Sequence, residues 1–152
     1  MMASYLDFLT FFITLLGILI AIFEYKRQGR VKCLDMAINF RDRFKELYET
    51  DNLLVMLETN DIKLRDIPFQ QRAQILGFLE AVEFAIRKKC IDVEIAFNFF
   101  GFYAVTIRDS DNFCYDIPKD NSIYWMNFSK FAERMEKVEQ KLIHRYQGPS
   151  KT

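Results

Sequence analysis

Histidine is almost missing from this chain, with His144 alone among 152 residues, and cysteine is sparse at Cys33, Cys90 and Cys114. An odd number of thiols without CxxC spacing, beside a single histidine, argues against a Cys/His zinc site. The three cysteines read instead as partly buried free thiols in a reducing compartment. Five glycines and three prolines leave little material for a strand-and-turn fold or a phosphate-cradling loop, and no Walker or GxGxxG pattern occurs. Net charge is absent too. Twenty-one basic and twenty-one acidic residues cancel, so no direct nucleic-acid contact is expected. No strand run, repeat or low-complexity tract appears.

Apolar residues are plentiful: 51% of the chain is hydrophobic, 16% is aromatic, and sixteen residues are Phe. That is rich for a small soluble domain and implies apolar surface facing lipid or a partner. From Phe8 to Phe23 the sequence FLTFFITLLGILIAIF carries no charge. A helix over it spans about 24 Å, slightly short of a hydrocarbon core of about 30 Å. Tyr5, Leu6 and Tyr25 extend it into the interfaces, and bilayer thinning or oligomerisation meets the rest. A cleaved signal peptide needs a basic start and a small-residue cleavage site, whereas MMASYLD and EYKRQGRVK supply neither. A buried core helix fits the length and flanks less well than an anchor. The cluster Lys26, Arg27, Arg30 and Lys32 follows the span and no cation precedes it. The positive-inside rule then puts the N-terminus outside the inner (cytoplasmic) membrane and the following domain in the cytoplasm, with the cluster against lipid headgroups. Thr10, Thr14, Gly17 and Ala21 fall on one stripe that permits close helix–helix approach or, in a multimer, lines a polar path.

The remainder reads as an all-α cytoplasmic bundle. The expected division is a transmembrane helix with its basic cluster over 5–27, the bundle over 31–147 and a tail over 148–152. Leu34, Ile38, Phe44, Leu47 and Tyr48 give a helical period, with Gly29 weakening continuity to the anchor but not forbidding one long helix. Thr50, Asp51 and Asn52 cap a short helix, LLVMLE. Asn60 to Asp66 reads as a loop. Pro68 sits as a first-turn proline after Asp66, opening a helix to about Lys89 that buries Ile75, Leu79, Val82 and Ile86 beside Phe78. Asp92 caps VEIAFNFFGFYAVTIR, an almost wholly apolar and therefore central helix. Asp109 to Asn121, with Pro118, is a polar loop. Ser122 opens a last helix that Gly148–Pro149 stops.

Glu80 and Glu83 lie three apart on an otherwise apolar helix. Two carboxylates in a cleft suit acid–base or metal chemistry, but no Glu-x-x-His completes a di-metal motif. The structural alternative makes them a buried ion pair that fixes helix register, with Glu80 on Arg108 or Arg134. Arg87, Lys88 and Lys89 complement a helix C-terminus, with an anion contact as the functional alternative. Helical ribonucleases of the HEPN type place a His four to six residues after an Arg. Here nine residues separate Arg134 from His144, so that pattern is absent and His144 reads as a surface residue.

The acidic pair Glu80/Glu83, the basic turn Lys88 to Asp92 and the Phe-Phe-Gly-x-Tyr segment Phe99 to Tyr103, with the polar loop and aromatic-led helix that follow, resemble a domain of unknown function. That domain occurs in small bacterial proteins with one N-terminal membrane helix. The layout also resembles the small transmembrane accessory protein of type VI-B CRISPR systems. That second resemblance implies a helical oligomer with a membrane pore, a degenerate HEPN-like domain and a role in RNA-guided antiviral defence. It carries over no catalytic residue. The expected function is a homo-oligomeric, pore-forming or membrane-perturbing effector whose partners are lipid, its own copies and a cytoplasmic protein or RNA-guided complex. A membrane-tethered scaffold is the alternative, and an enzyme using Glu80 and Glu83 the third. No catalytic residue, metal or cofactor is expected.

Overall fold

The computed structural model describes residues 2–48, 52–117 and 123–147, and its regular elements are all helical. The caps expected at Thr50 and Asp51, the loop's Pro118, the opening Ser122 and the Gly148–Pro149 stop lie outside these residues.

Helix α1 runs unbroken from Met2 to Tyr48, 47 residues or about 70 Å. Gly29 stays helical. A Cβ there meets nothing within 4 Å, so the glycine is open to solvent and costs the helix only about 1 kcal/mol. The expected border between residues 27 and 31 thus falls inside one helix, where its surroundings change. From Leu9 to Phe23 every side chain is exposed. The most apolar stretch has a mean hydropathy of 1.8 and none of it is buried, which makes it long and apolar enough to cross a membrane. Beyond it one stripe turns inward: Cys33, Ala37, Phe40, Phe44 and Leu47, spaced four and three in alternation.

The rest of the chain wraps that stripe. Helix α2 (Leu53–Glu58) is followed by a 3₁₀ turn at Ile62–Asp66, where a loop was expected. Asp61 caps that turn by accepting from the Lys63 amide, and Leu64 anchors it in the core. Helix α3 covers Phe69–Arg87, with Pro68 at the capping position itself rather than inside the first turn. Asp66 does not cap α3; it closes the 3₁₀ turn. Asp92 does cap helix α4 (Val93–Ala96), accepting from the amides of Glu94 and Ile95. The single helix expected after it is interrupted by a π-helical turn, Phe97–Gly101, before helix α5 (Phe102–Asp109). Gly101 serves that wide turn by its lack of a side chain, since a Cβ there falls 2.6 Å from the Phe97 ring. After a 3₁₀ turn at Ile123–Trp125, helix α6 (Met126–Gln147) packs across α3 and α5.

Phe44 sits at the centre, 1% exposed. It stacks on Phe78 of α3 at 5.2 Å and meets the edges of Phe100 and Tyr103 at 5.6 and 4.9 Å. Phe40 adds a second contact to Phe78. The segment 110–117, expected to be a polar loop, is pinned by Phe113, Cys114 and Ile117, all buried. Arg72, 2% exposed, holds it: Nη1 donates to the Phe113 carbonyl at 2.7 Å, Nε to that of Ile67 at 3.0 Å, and Nη2 pairs with Asp116 at 2.6 Å.

Phe44→Ala is expected to lower unfolding stability by about 3–5 kcal/mol, since it opens a cavity among the rings of Phe78, Phe100 and Tyr103. Val55→Ala, at an exposed position, should change it by less than about 0.5 kcal/mol. Denaturant unfolding of the full chain in detergent micelles, followed by near-ultraviolet circular dichroism, measures both. Equal losses would remove Phe44 from its central place.

Candidate functional site

The densest polar constellation lies where α3 crosses α6, and it contains both glutamates singled out in the sequence. Their roles differ. Glu83 is 1% exposed and takes a two-pronged bond from Arg134, Nη2 to Oε1 at 2.8 Å and Nε to Oε2 at 3.0 Å. Arg87, one turn along α3, approaches the same carboxylate at 3.9 Å. The bond to Glu83 is the main cause that holds the Arg134 guanidinium above its ordinary pKa, against the opposing pull of burial. The arginine therefore stays charged across any accessible pH.

Glu80 corrects the expectation of an arginine partner. Its Oε1 accepts from the backbone amides of Asn127 and Phe128, at 3.2 and 3.3 Å, in the first turn of α6. A carboxylate at a helix N-terminus satisfies orphan amides and opposes the positive end of the dipole. This cap comes from another helix, so a search for capping residues close in sequence cannot find it. Arg108, the other partner proposed for Glu80, is spent on Asp109 and Glu136, at 2.7 and 2.9 Å. Those bonds, the one to Asp109 foremost, raise its pKa above the ordinary value. Both glutamates therefore have structural partners, and the arrangement joins helices rather than presenting a pair of unengaged carboxylates to a substrate.

The remaining predicted residues lie along α1. Thr10, Thr14, Gly17 and Ala21 are all exposed, and the Thr14 hydroxyl donates back to the Thr10 carbonyl at 2.8 Å. Lys26, Arg27, Arg30 and Lys32 are exposed as well, with Arg27 paired to Glu24 at 2.9 Å. At about 100° per residue, the small-residue stripe falls roughly opposite the stripe Cys33–Ala37–Phe40–Phe44 that faces the bundle, while Lys26 and Arg30 continue the bundle-facing stripe. Cys33 is half-buried and lies 3.5 Å from the Lys89 carbonyl, at the turn between α3 and α4. His144 is exposed near the end of α6. Among the described residues no group of three metal-ligating side chains converges. Sequence reasoning missed Arg72, which stands among Gln70, Gln71 and Gln74 and gives no local sign of its burial.

Arg134→Ala strands the buried Glu83 carboxylate and should cost about 3 kcal/mol, the low end for a broken buried pair because Arg87 stands by. Glu80→Gln keeps an acceptor oxygen for the α6 amides and should cost only about 1 kcal/mol. Thermal melting of the two variants side by side checks the order. A larger loss from Glu80→Gln would reverse these assignments.

No protein-family profile, curated protein sequence or solved structure matches this chain.

Proposed function

We propose that the chain is a single-pass membrane protein that acts as a homo-oligomer, with α1 as its anchor, the bundle in the cytoplasm, and the assembled anchors perturbing or opening the bilayer. The observation that carries this reading is the division of α1 into faces. The bundle occupies one face above Cys33, and the small residues of the apolar half look the other way. Copies that meet through Thr10, Thr14, Gly17 and Ala21 therefore gather their anchors at an axis with the bundles spread outward, free of mutual obstruction. Gly17 offers open space for a neighbour, since nothing lies within 4 Å of a Cβ built on it. Close approach at such residues is how helices associate in lipid, and the shortness of the apolar run favours association further. Along the same face the bundle half of α1 carries Gln28, Lys32, Asp35, Asn39 and Arg43, a polar lining suited to the mouth of such an assembly. The resemblance to the transmembrane accessory protein of type VI-B CRISPR systems supports a setting in antiviral defence, with an RNA-guided complex as partner.

One observation favours a second reading, a membrane-tethered scaffold that conducts nothing. The Thr14 hydroxyl is turned onto its own helix, and residues 9–23 contain no charged or amide side chain to line a wet path.

Reconstitution decides between them. Wild-type chain in lipid nanodiscs should show the mass of several copies and should release a small dye from vesicles. Gly17→Leu should lower both together. Assembly without release would install the scaffold, and a monomer at every concentration would end the oligomeric reading. Separately, a reporter fused to the C-terminus should be active only on the cytoplasmic side; activity in the periplasm would reject the topology.

A further inference from the structure

α3 runs back along α1. Phe78, in its middle, meets Phe40 and Phe44, while Lys89, just past its end, meets Cys33. The basic end of α3 therefore points toward the apolar half of α1. Cys33 is ten residues past Phe23, about 15 Å along the helix axis. The turn holding Arg87, Lys88 and Lys89 therefore lies level with Cys33, and Arg30 and Lys26 follow about 5 and 10 Å further along α1 toward its apolar half. Those two cations lie on the same α1 stripe as Cys33, Ala37 and Phe44, seven and three residues before Cys33. Where the stripe stops meeting protein, its apolar residues give way to cations.

The acids nearby are engaged. Glu24 pairs with Arg27, Glu94 lies 3.4 Å from Arg145, and Asp92 caps α4. Asp35 lies on the opposite side of α1, away from the turn. None of Lys26, Arg30, Lys88 and Lys89 has an acidic partner among the described residues. Lys88 instead lies 5.5 Å from the ring of Phe84, a phenylalanine 55% exposed on the same end of α3.

Lys89 also sits where lysine is a poor choice. Its φ is +58°, and the amides of Lys89 and Cys90 reach back to the carbonyls of Ile86 and Ala85, at 2.9 Å each. That is a helix-ending turn whose left-handed residue is ordinarily glycine. A cation at a position that suits glycine breaks a local rule, and such breaks are where function is sought first.

We propose that Lys26 and Arg30 of α1, with Lys88 and Lys89 of the turn that ends α3 beside Cys33, form one binding face for anionic phospholipid headgroups of the leaflet that α1 enters. The proposal rests on the reading of α1 as a membrane anchor. Headgroups occupy the first several ångströms beyond the hydrocarbon, so the turn stands within about one Debye length, ~8 Å, of their charge. A face with cations on both the anchor and the bundle attracts headgroups at two places and so biases the bundle's angle to the membrane. Phe84 supplies an apolar contact at the same end.

Lysine acetylation read by peptide mass spectrometry tests this on the full chain in nanodiscs. One set of discs is pure phosphatidylcholine and the other contains one third phosphatidylglycerol. Lys26, Lys88 and Lys89 should react about fivefold more slowly in the anionic discs, and high salt should abolish the difference. Lys63, on the 3₁₀ turn at the far end of the bundle, should react equally in both. Lys89→Gly removes one cation while relieving the left-handed backbone, so it should raise the melting temperature yet weaken the protection of Lys88. Equal reactivity of Lys88 and Lys89 in both lipids, with the chain still resistant to alkaline extraction, would overturn the face and leave the anchor intact. Release of the chain by alkali would overturn the anchor and this face with it. Protection of the same lysines by single-stranded RNA in pure phosphatidylcholine discs, matching that given by phosphatidylglycerol, would transfer the face to nucleic acid.

Discussion

Phe44 is the residue on which the arrangement of this protein turns. It is the place where α1 stops being a free helix and becomes part of a core. Its ring is held by Phe78 from α3, Phe100 from the π-helical turn and Tyr103 from α5, so three segments of the chain converge on one side chain. Aromatic pairs at these separations contribute beyond the area they bury, by about 0.5–1.5 kcal/mol each. The geometry matters as much as the energy. A ring gripped on several sides cannot slide along α1 or rotate about it, so the clasp fixes the register and facing of the whole helix. The facing of every other residue of α1 follows from that contact.

The polar groups buried around this centre each tie two segments together. Arg72 joins α3 to the loop after α5, Glu83 joins α3 to α6, and Glu80 closes the start of α6. Among the described residues no buried side-chain nitrogen or oxygen lacks a partner. A buried charge adds little net stability when paired and costs several kcal/mol when stranded, so such groups mainly penalise wrong arrangements. Here they penalise any packing in which α6 or the 110–117 segment lies elsewhere on α3.

Much of the fold was legible because it is local. The sixteen uncharged residues from Phe8 to Phe23, the cap at Asp92 and the short helix LLVMLE are each set by neighbours within a turn or two. What escaped was set across the chain. The partners of Glu80 and Glu83 lie some fifty residues away, and spacing alone does not say which carboxylate an arginine will reach. The segment 110–117 is the loop its sequence suggested, but its attachment to the core was not legible among Ser110, Asp111, Asn112 and Asp116. Phe113, Cys114 and Ile117 pin it once Arg72 donates to the Phe113 carbonyl and pairs with Asp116. The π-helical turn was hidden for another reason. Its residues are as apolar as the helices on either side, and the wider winding leaves no mark in a hydrophobic pattern that has no polar face to lose register.

The unbroken course of α1 through Gly29 has a mechanical consequence. With no proline and no loop between Leu9 and Leu47, the helix is a stiff rod that shares one axis between its apolar half and its packed half. Placed in a bilayer, such a rod converts hydrophobic mismatch into inclination, because tilting is how a helix matches a changing membrane thickness. A change of about 10° moves a point ~30 Å along the rod sideways by about 5 Å, one helical pitch. The bundle rides on that end and has to follow. Wherever the apolar half of such a rod is seated in a bilayer, membrane thickness and the position of the bundle are coupled through the angle of one helix.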